Sequence, residues 1–242
     1  MNDWTTSHDR VLAQRQADGW MFLIDVASHL WTTTVLAPRD RALARLLTGP
    51  VRLQASRRPP AVLHTGASGG SVIRALMSRL PDGSRLDVVE ADHGAAGRLR
   101  GLVAGCLNSV DTPRQVQVQV HETDIERFAT AERYDVIVCG LPLTALSPVA
   151  LERAMARHME LLRPGGTLTY SAGIGPARAV PPASGNARCH AVGIKVMDAY
   201  QRSYAIGRRT VWAGWPPARV WHLQRPSVSL ADQPLPRDGG GR

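Results

Sequence analysis

The sequence holds three cysteines, and Cys106, Cys139 and Cys189 fall at no spacing that pairs metal ligands. No metal site is expected, and the sparse cysteine points to a reducing compartment. No window approaches the roughly 20 consecutive apolar residues that cross a bilayer. The opening Met1-Asn-Asp-Trp-Thr has neither the positive nor the apolar region of a secretory signal, so a cytoplasmic location is expected. Lysine is nearly absent: all but one of the 29 basic residues are arginine. These arginines make no polybasic run beyond the short pairs Arg57–Arg58 and Arg208–Arg209, and they read as dispersed, solvated surface. The balance against 20 acidic residues is +9, which permits nucleic acid or an anionic membrane as partner and chooses neither.

What is present is enough aliphatic residue for one sizeable core: 242 residues, 44% hydrophobic, with nothing that requires a second such core. The informative stretch runs from Ala61 to Asp92. Ala-Val-Leu-His-Thr (61–65) reads as a strand and Gly66-Ala-Ser-Gly-Gly70 as a turn. Val72, Ile73, Leu76, Met77 and Leu80 then share one helical face, and Pro81-Asp-Gly83 breaks it before the strand Arg85-Leu-Asp-Val-Val-Glu90. Short aliphatic strands of this kind are parallel strands covered on both sides. A glycine turn between strand and helix, with a carboxylate closing the next strand, suits a nucleoside: the turn admits the ligand closely, and Glu90 accepts from ribose hydroxyls. The string Gly66-Ala-Ser-Gly-Gly70 also contains G-x-S-x-G, the nucleophile elbow of serine hydrolases. An elbow needs a later acid and histidine on strand-end loops, whereas Asp135 opens a strand and His190 falls in an ill-defined loop. A purely structural tight turn is the third reading.

Further strands are read at Gln115–Val120, Tyr134–Cys139 and Thr167–Tyr170, separated by helices over about 94–107 and 147–162. A last helix over Val192–Tyr204 precedes late strands between Arg208 and Leu223. Strands alternating with helices give an α/β, doubly wound, mostly parallel sheet. Asp124, in the loop after the third strand, is placed to accept from an exocyclic base amine, with Ile125 packing on the ring; alternatively Asp124 only caps the next turn. Pro38 starts a helix that Gly49-Pro50 stops, and residues 51–60 read as a connector. Upstream, Trp20, Leu23, Ile24, Ala27, Leu30 and Trp31 share a face of a helix over 19–31. It reads either as a lid packed on the sheet domain or as a helix lying on an anionic membrane surface. The domain expectation is therefore a helical extension over 1–50, the sheet domain over 51–225 and a Pro/Gly-rich disordered tail over 226–242.

Together with Leu161-Leu-Arg-Pro-Gly-Gly166 before the fifth strand, these features resemble a class I S-adenosylmethionine-dependent methyltransferase. More narrowly, Leu36-Ala-Pro-Arg-Asp-Arg-Ala-Leu-Ala-Arg45, Cys139-Gly-Leu-Pro-Leu143 and Trp215-Pro-Pro-Ala-Arg-Val-Trp221 resemble the bacterial phospholipid N-methyltransferases. The resemblance spans about residues 19–225. It implies a seven-stranded Rossmann-like sheet with an N-terminal helical lid, S-adenosylmethionine as cofactor, and methyl transfer to the amine of phosphatidylethanolamine. Peripheral contact with the inner face of the cell membrane goes with that substrate. By position, the implied cofactor site is His64, Gly66, Ser68, Gly70, Glu90, Ala91, Asp124, Ile125 and Gly140.

Two residues depart from the pattern. His64 stands where a carboxylate is usual, so only a neutral acceptor faces the cofactor's ammonium end, and Ser68 replaces the middle glycine. The alternatives are therefore a methyltransferase for a small soluble amine or hydroxyl compound, or a degenerate protein that keeps the fold. Methylation of RNA adenine is disfavoured, and a nucleic-acid partner is not expected, because Gly140-Leu-Pro-Leu143 lacks both the side-chain acceptor and the aromatic ring which that chemistry uses. No residue is marked as the catalytic base; Tyr170, the Gly140 and Leu141 carbonyls and Asp18 are the geometric guesses. His29 and His158 read as surface or packing residues.

Overall fold

A computed structural model of the chain describes residues 38–66, 70–108, 115–173, 186–212 and 217–227. The expected helix over 19–31, residue Ser68, Asp18 and the tail from 228 onward lie outside the described residues.

Helices α1 (Pro38–Leu47) and α2 (Gly49–Ala55) precede β1 (Ala61–Thr65), α3 (Gly70–Met77), β2 (Arg85–Glu90), α4 (His93–Asn108) and β3 (Gln117–Glu122). Then come β4 (Tyr134–Cys139), α5 (Pro148–Leu161), β5 (Leu162–Gly173), α6 (Asn186–Tyr204), β6 (Ala205–Val211) and β7 (Ala218–Gln224). All seven strands join one sheet in the order β3-β2-β1-β4-β5-β7-β6. The first five run parallel, and β7 lies antiparallel between β5 and β6. This is the doubly wound, mostly parallel, seven-stranded sheet expected from the sequence.

The central strands are aliphatic throughout because both faces are covered. Alternation along β1 sends Val62 to one core and Leu63 to the other. Leu47, Val51, Ile73, Leu76, Leu99 and Val103 bring α1 to α4 onto the first face. Leu151, Met155 and Leu161 of α5, with Met197 and Tyr200 of α6, cover the second.

Four boundaries differ from expectation. Gly49-Pro50 ends one helix and begins another, since proline in the first turn lacks only an N–H that would go unpaired anyway. The buried Val51 then anchors α2 where a connector was read. Strand β3 lies two residues later than expected, so His121 and Glu122 belong to the strand, opposite Val89 and Glu90. Strand β5 starts at Leu162, ahead of Pro164-Gly-Gly166: the pairing with β4 shifts register there, and Gly165 takes up the irregularity at φ +77°. His190 falls within α6, not in a loop.

Candidate functional site

The site forms at the carboxyl edge of β1, β2 and β4. Gly66 leaves β1 with φ +66°, and its N–H donates to the Val89 carbonyl at 3.0 Å, tying the turn to β2. On the other side the Gly140 N–H donates to the Thr65 carbonyl at 2.7 Å. A Cβ on Gly66 would stand 2.7 Å from the Leu141 nitrogen, and one on Gly140 only 2.5 Å from the Gly66 carbonyl oxygen. Both positions are glycine because two strand-end turns pack backbone to backbone.

Beside them opens a cavity of about 340 Å³, lined by Thr65 and Gly66, by Val89 to Ala91, by residues 123–127, and by Leu141, Leu146 and Ala154. That size suits a small-molecule or cofactor site. Five of the sequence-predicted residues meet on this wall: Gly66, Glu90, Ala91, Asp124 and Ile125. His64, Gly70 and Gly140 stand off it, Gly140 because it supports the Gly66 turn from behind.

Glu90 is the distinctive group. It is 8% exposed, and its Oε1 accepts from the Asp92 N–H at 3.1 Å, while the buried Oε2 has no partner among the described residues. Asp92 in turn caps α4 through the Ala95 N–H at 2.6 Å, so the carboxylate is held by a fixed turn. An orphaned buried acceptor costs stability unless a ligand fills it. Asp124 is exposed at the cavity rim and Ile125 is buried beneath it. The Asp124 carbonyl accepts from the Arg127 N–H at 3.1 Å, which closes the loop under the side chain.

His64 is 2% exposed, and its Nδ1 lies 2.9 Å from the Val138 carbonyl. A carbonyl only accepts, so Nδ1 carries the hydrogen and Nε2 is a bare acceptor without a partner among the described residues. Burial pushes this imidazole down to about 4, which keeps it neutral. Sequence reasoning missed the neighbouring pair: Thr65, on the cavity wall, meets Nε2 of the fully buried His158 at 2.9 Å. His158 Nδ1 donates to the Ala154 carbonyl at 2.6 Å, so Nε2 accepts and the Thr65 hydroxyl donates. Burial pushes His158 to about 4 as well.

None of the described groups guessed as base is well suited to take a proton. The Tyr170 phenol is 1% exposed, receives Gln201 Nε2 at 2.8 Å and is pushed upward by burial. The Leu141 carbonyl already accepts the Leu143 N–H at 2.8 Å. The Cys139 thiol, not among those guesses, is raised to about 11 by burial and stays protonated as well. The acid needed by a serine-hydrolase reading is committed elsewhere: Asp135 binds Arg58, the Ala61 N–H at 2.9 Å and Arg163 at 2.8 Å, at the opposite edge of the sheet.

No family model matches the chain. Over 113 residues it is 33% identical to the tRNA1(Val) (adenine(37)-N6)-methyltransferase of Serratia proteamaculans, covering 46% of this chain and 40% of that protein. The chain thus spans less than half the length of this curated relative. Among solved structures it is similar to the N-methyltransferase NodS of Bradyrhizobium japonicum, with TM-score 0.57, 19% identity, and coverage of 78% of this chain and 97% of that one. NodS is also known in complex with S-adenosyl-L-homocysteine. A second similar structure is the 1,6-didemethyltoxoflavin-N1-methyltransferase of Burkholderia thailandensis, with TM-score 0.56, 16% identity, and coverage of 91% and 90%. It holds 1,6-didemethyltoxoflavin and S-adenosylhomocysteine.

These findings correct the expected acceptor. The two similar structures named above are an N-methyltransferase and an enzyme with bound 1,6-didemethyltoxoflavin, and neither is a phospholipid methyltransferase. Among the described residues no helix is long and apolar enough to cross a membrane. The narrower likeness to the phospholipid enzymes, with its phosphatidylethanolamine substrate, is set aside. S-adenosylmethionine is the cofactor of this fold, as the two complexes with its demethylated product indicate. The chain has the class I S-adenosylmethionine-dependent methyltransferase fold.

Proposed function

We propose that the chain transfers the methyl group of S-adenosylmethionine to a nitrogen or oxygen of a small soluble compound. The observation that carries this reading is Glu90 Oε2, a buried acceptor left unpaired among the described residues, on the wall of a cavity at the glycine turn. Its chemistry fits a ribose hydroxyl, and the close-packed glycines leave backbone, not side chains, facing the ligand. In this assignment Glu90 holds the ribose, Asp124 and Ile125 the adenine, and Gly66 the methionine part. Ala91 completes the wall beside the ribose, and His64, buried off the cavity, supports the strand end from behind.

The cofactor would supply an electrophilic sulfonium methyl group. The protein's contribution is then alignment and exclusion of water, which together lower the barrier for an in-line displacement. Leu141, Leu146 and Ala154 make part of the cavity wall apolar. His64 and His158, both neutral and both hydrogen-bonded through Nδ1, hold their neighbours in place and are poor proton acceptors at neutral pH.

The test has two steps. Calorimetric titration with S-adenosylhomocysteine should show one site per chain. Incubation with labelled S-adenosylmethionine and separate soluble and lipid extracts should then place label in a soluble compound. No binding, or label confined to the lipid fraction, overturns the proposal.

A further inference from the structure

The arginines that look dispersed along the sequence are sorted by the fold. Helices α1 to α4, which cover one face of the sheet, contain seven arginines and a single acidic residue, Asp40. On the other face α5 carries two arginines and two glutamates, and α6 carries two arginines and a lysine with one aspartate, so the excess of positive charge there is smaller. Arg41, Arg45, Arg52, Arg74, Arg98 and Arg100 are all exposed. Among the described residues, the only ion pair made by an arginine of these four helices is Arg100 with Glu122, at 3.4 Å.

The charge is densest where α1, α2 and the end of α3 meet. Arg79 donates to the Arg45 carbonyl at 3.0 Å and to Thr48 Oγ1, which fixes its guanidinium against the C-terminus of α1. Arg45 and Arg52 stand close enough to Arg79 to lower its affinity for its proton, after the effect of burial. Three guanidinium groups thus crowd together with no carboxylate among them. Helix α3 leaves the carboxyl edge of the sheet at Gly70 and delivers the chain back toward β2 at Arg85. Arg79 therefore lies at the edge away from the cavity formed at Thr65, Gly66 and Glu90.

We infer that this helical face binds the phosphate backbone of a nucleic-acid duplex. Guanidinium forks match phosphate oxygens in pairs, which a lysine ammonium does not. Helices α1 to α4 contain no Phe, Tyr or Trp, so the face lacks the stacking platforms that grip single strands. Leu53, 72% exposed, is the one large apolar side chain of these helices among the exposed hydrophobics, too few to seat a helix face in a membrane. Recognition is of backbone and is independent of sequence, and it does not conflict with a small acceptor in the cavity. The inference stands apart from the proposed function, because the two sites lie at opposite edges of the sheet.

The test uses the full chain and a labelled RNA duplex of about 20 base pairs, followed by fluorescence anisotropy from about 50 to 200 mM KCl. Binding should weaken steeply with salt, as release of counterions requires. Arg45→Glu/Arg52→Glu should weaken binding at about 50 mM KCl by about tenfold or more, and reduce the salt slope by about two. Lys195→Glu/Arg202→Glu, on α6, makes the same change in net charge and should leave both nearly unchanged. Retained binding of S-adenosylhomocysteine by the first variant shows that its fold and cavity are intact; if it has lost that binding, Arg52→Gln, expected to weaken the duplex by several-fold, takes its place. The inference is overturned if the parent does not bind at the lowest salt, if both double variants lose affinity equally, or if the α1–α2 variant keeps it. Binding to phosphatidylglycerol vesicles in place of the duplex overturns it equally.

Discussion

The carbonyl oxygen of Gly66 occupies the space where a side chain on Gly140 would begin, 2.5 Å from its ideal Cβ. Two turns from strands adjacent in the sheet are thereby locked backbone to backbone, and the Gly140 N–H donates to the Thr65 carbonyl at 2.7 Å. The turn after β1 is thus held in place by the turn after β4.

Gly140→Ala should therefore disturb both stability and ligand binding. The obstructing atoms are backbone, so no rotamer change relieves the contact and the strands must separate. Overpacking of this kind costs about 1–3 kcal/mol. Urea unfolding should show the lower midpoint, and titration with S-adenosylhomocysteine should show weaker binding at a temperature where the variant is folded. An unchanged midpoint would mean that the two turns do not pack as described.

Glu90→Ala should weaken S-adenosylhomocysteine by about 1–3 kcal/mol, the range for deleting a charged acceptor from a bound hydroxyl. Stability should change little or rise, since the variant removes an orphaned buried oxygen that the unliganded protein carries at a cost. That opposite sign separates a ligand-binding carboxylate from a structural one. Equal affinity in parent and variant, by calorimetry, would remove Glu90 from the site.

Much of this was legible in the sequence, for definite reasons. The segment from β1 to β2 could be read because buried parallel strands are continuous aliphatic runs and the turn between strand and helix demands glycine. Glu90 followed from its place at the end of the second strand. Helix α2 was missed because Gly49-Pro50 is equally a stop and a start, and only the burial of Val51 decides. The Thr65–His158 contact was out of reach: it joins residues 93 apart in sequence, across a strand and a helix whose facing sides no local pattern specifies. The sorting of arginines between the two layers was hidden likewise, since the layer of a helix is a property of topology, not of spacing.

Asp87→Ala should be among the most destabilising single substitutions. Asp87 is fully buried at the centre of β2, where Oδ1 accepts from His121 Nε2 at 2.9 Å. Its Oδ2 accepts from the Tyr134 hydroxyl at 2.9 Å and from Arg85 Nε at 2.7 Å. Removing it strands three donors contributed by β2, β3 and β4, and breaking such buried networks costs about 3–5 kcal/mol. Chemical denaturation should show the loss, with Asp87→Asn milder because its amide oxygen still accepts. A change below about 1 kcal/mol in the alanine variant would show that the network is not coupled to folding.

Acid should unfold the protein partly through its two buried histidines. Each is held neutral in the fold, with its pKa pushed by burial from 6.5 to about 4. In the unfolded chain both bind protons near 6.5, so between about 4 and 6.5 the unfolded state carries more protons and stability rises with pH. The contribution is fully present above pH 6.5, falls as the pH drops toward 4, and then levels off. Each histidine accounts for on the order of 3 kcal/mol over that window. Denaturant unfolding at pH 7.5, 6, 5 and 4.5 should show the decline in the parent, to be compared with His158→Gln. The glutamine cannot titrate, and its side-chain oxygen is still able to accept from Thr65. Its lower stability at pH 7.5 is beside the point; the slope against pH is what should fall, by roughly half of the histidine share. A slope identical to that of the parent would mean that His158 is already able to take up a proton in the folded state, and its neutral, Thr65-accepting form would have to be given up.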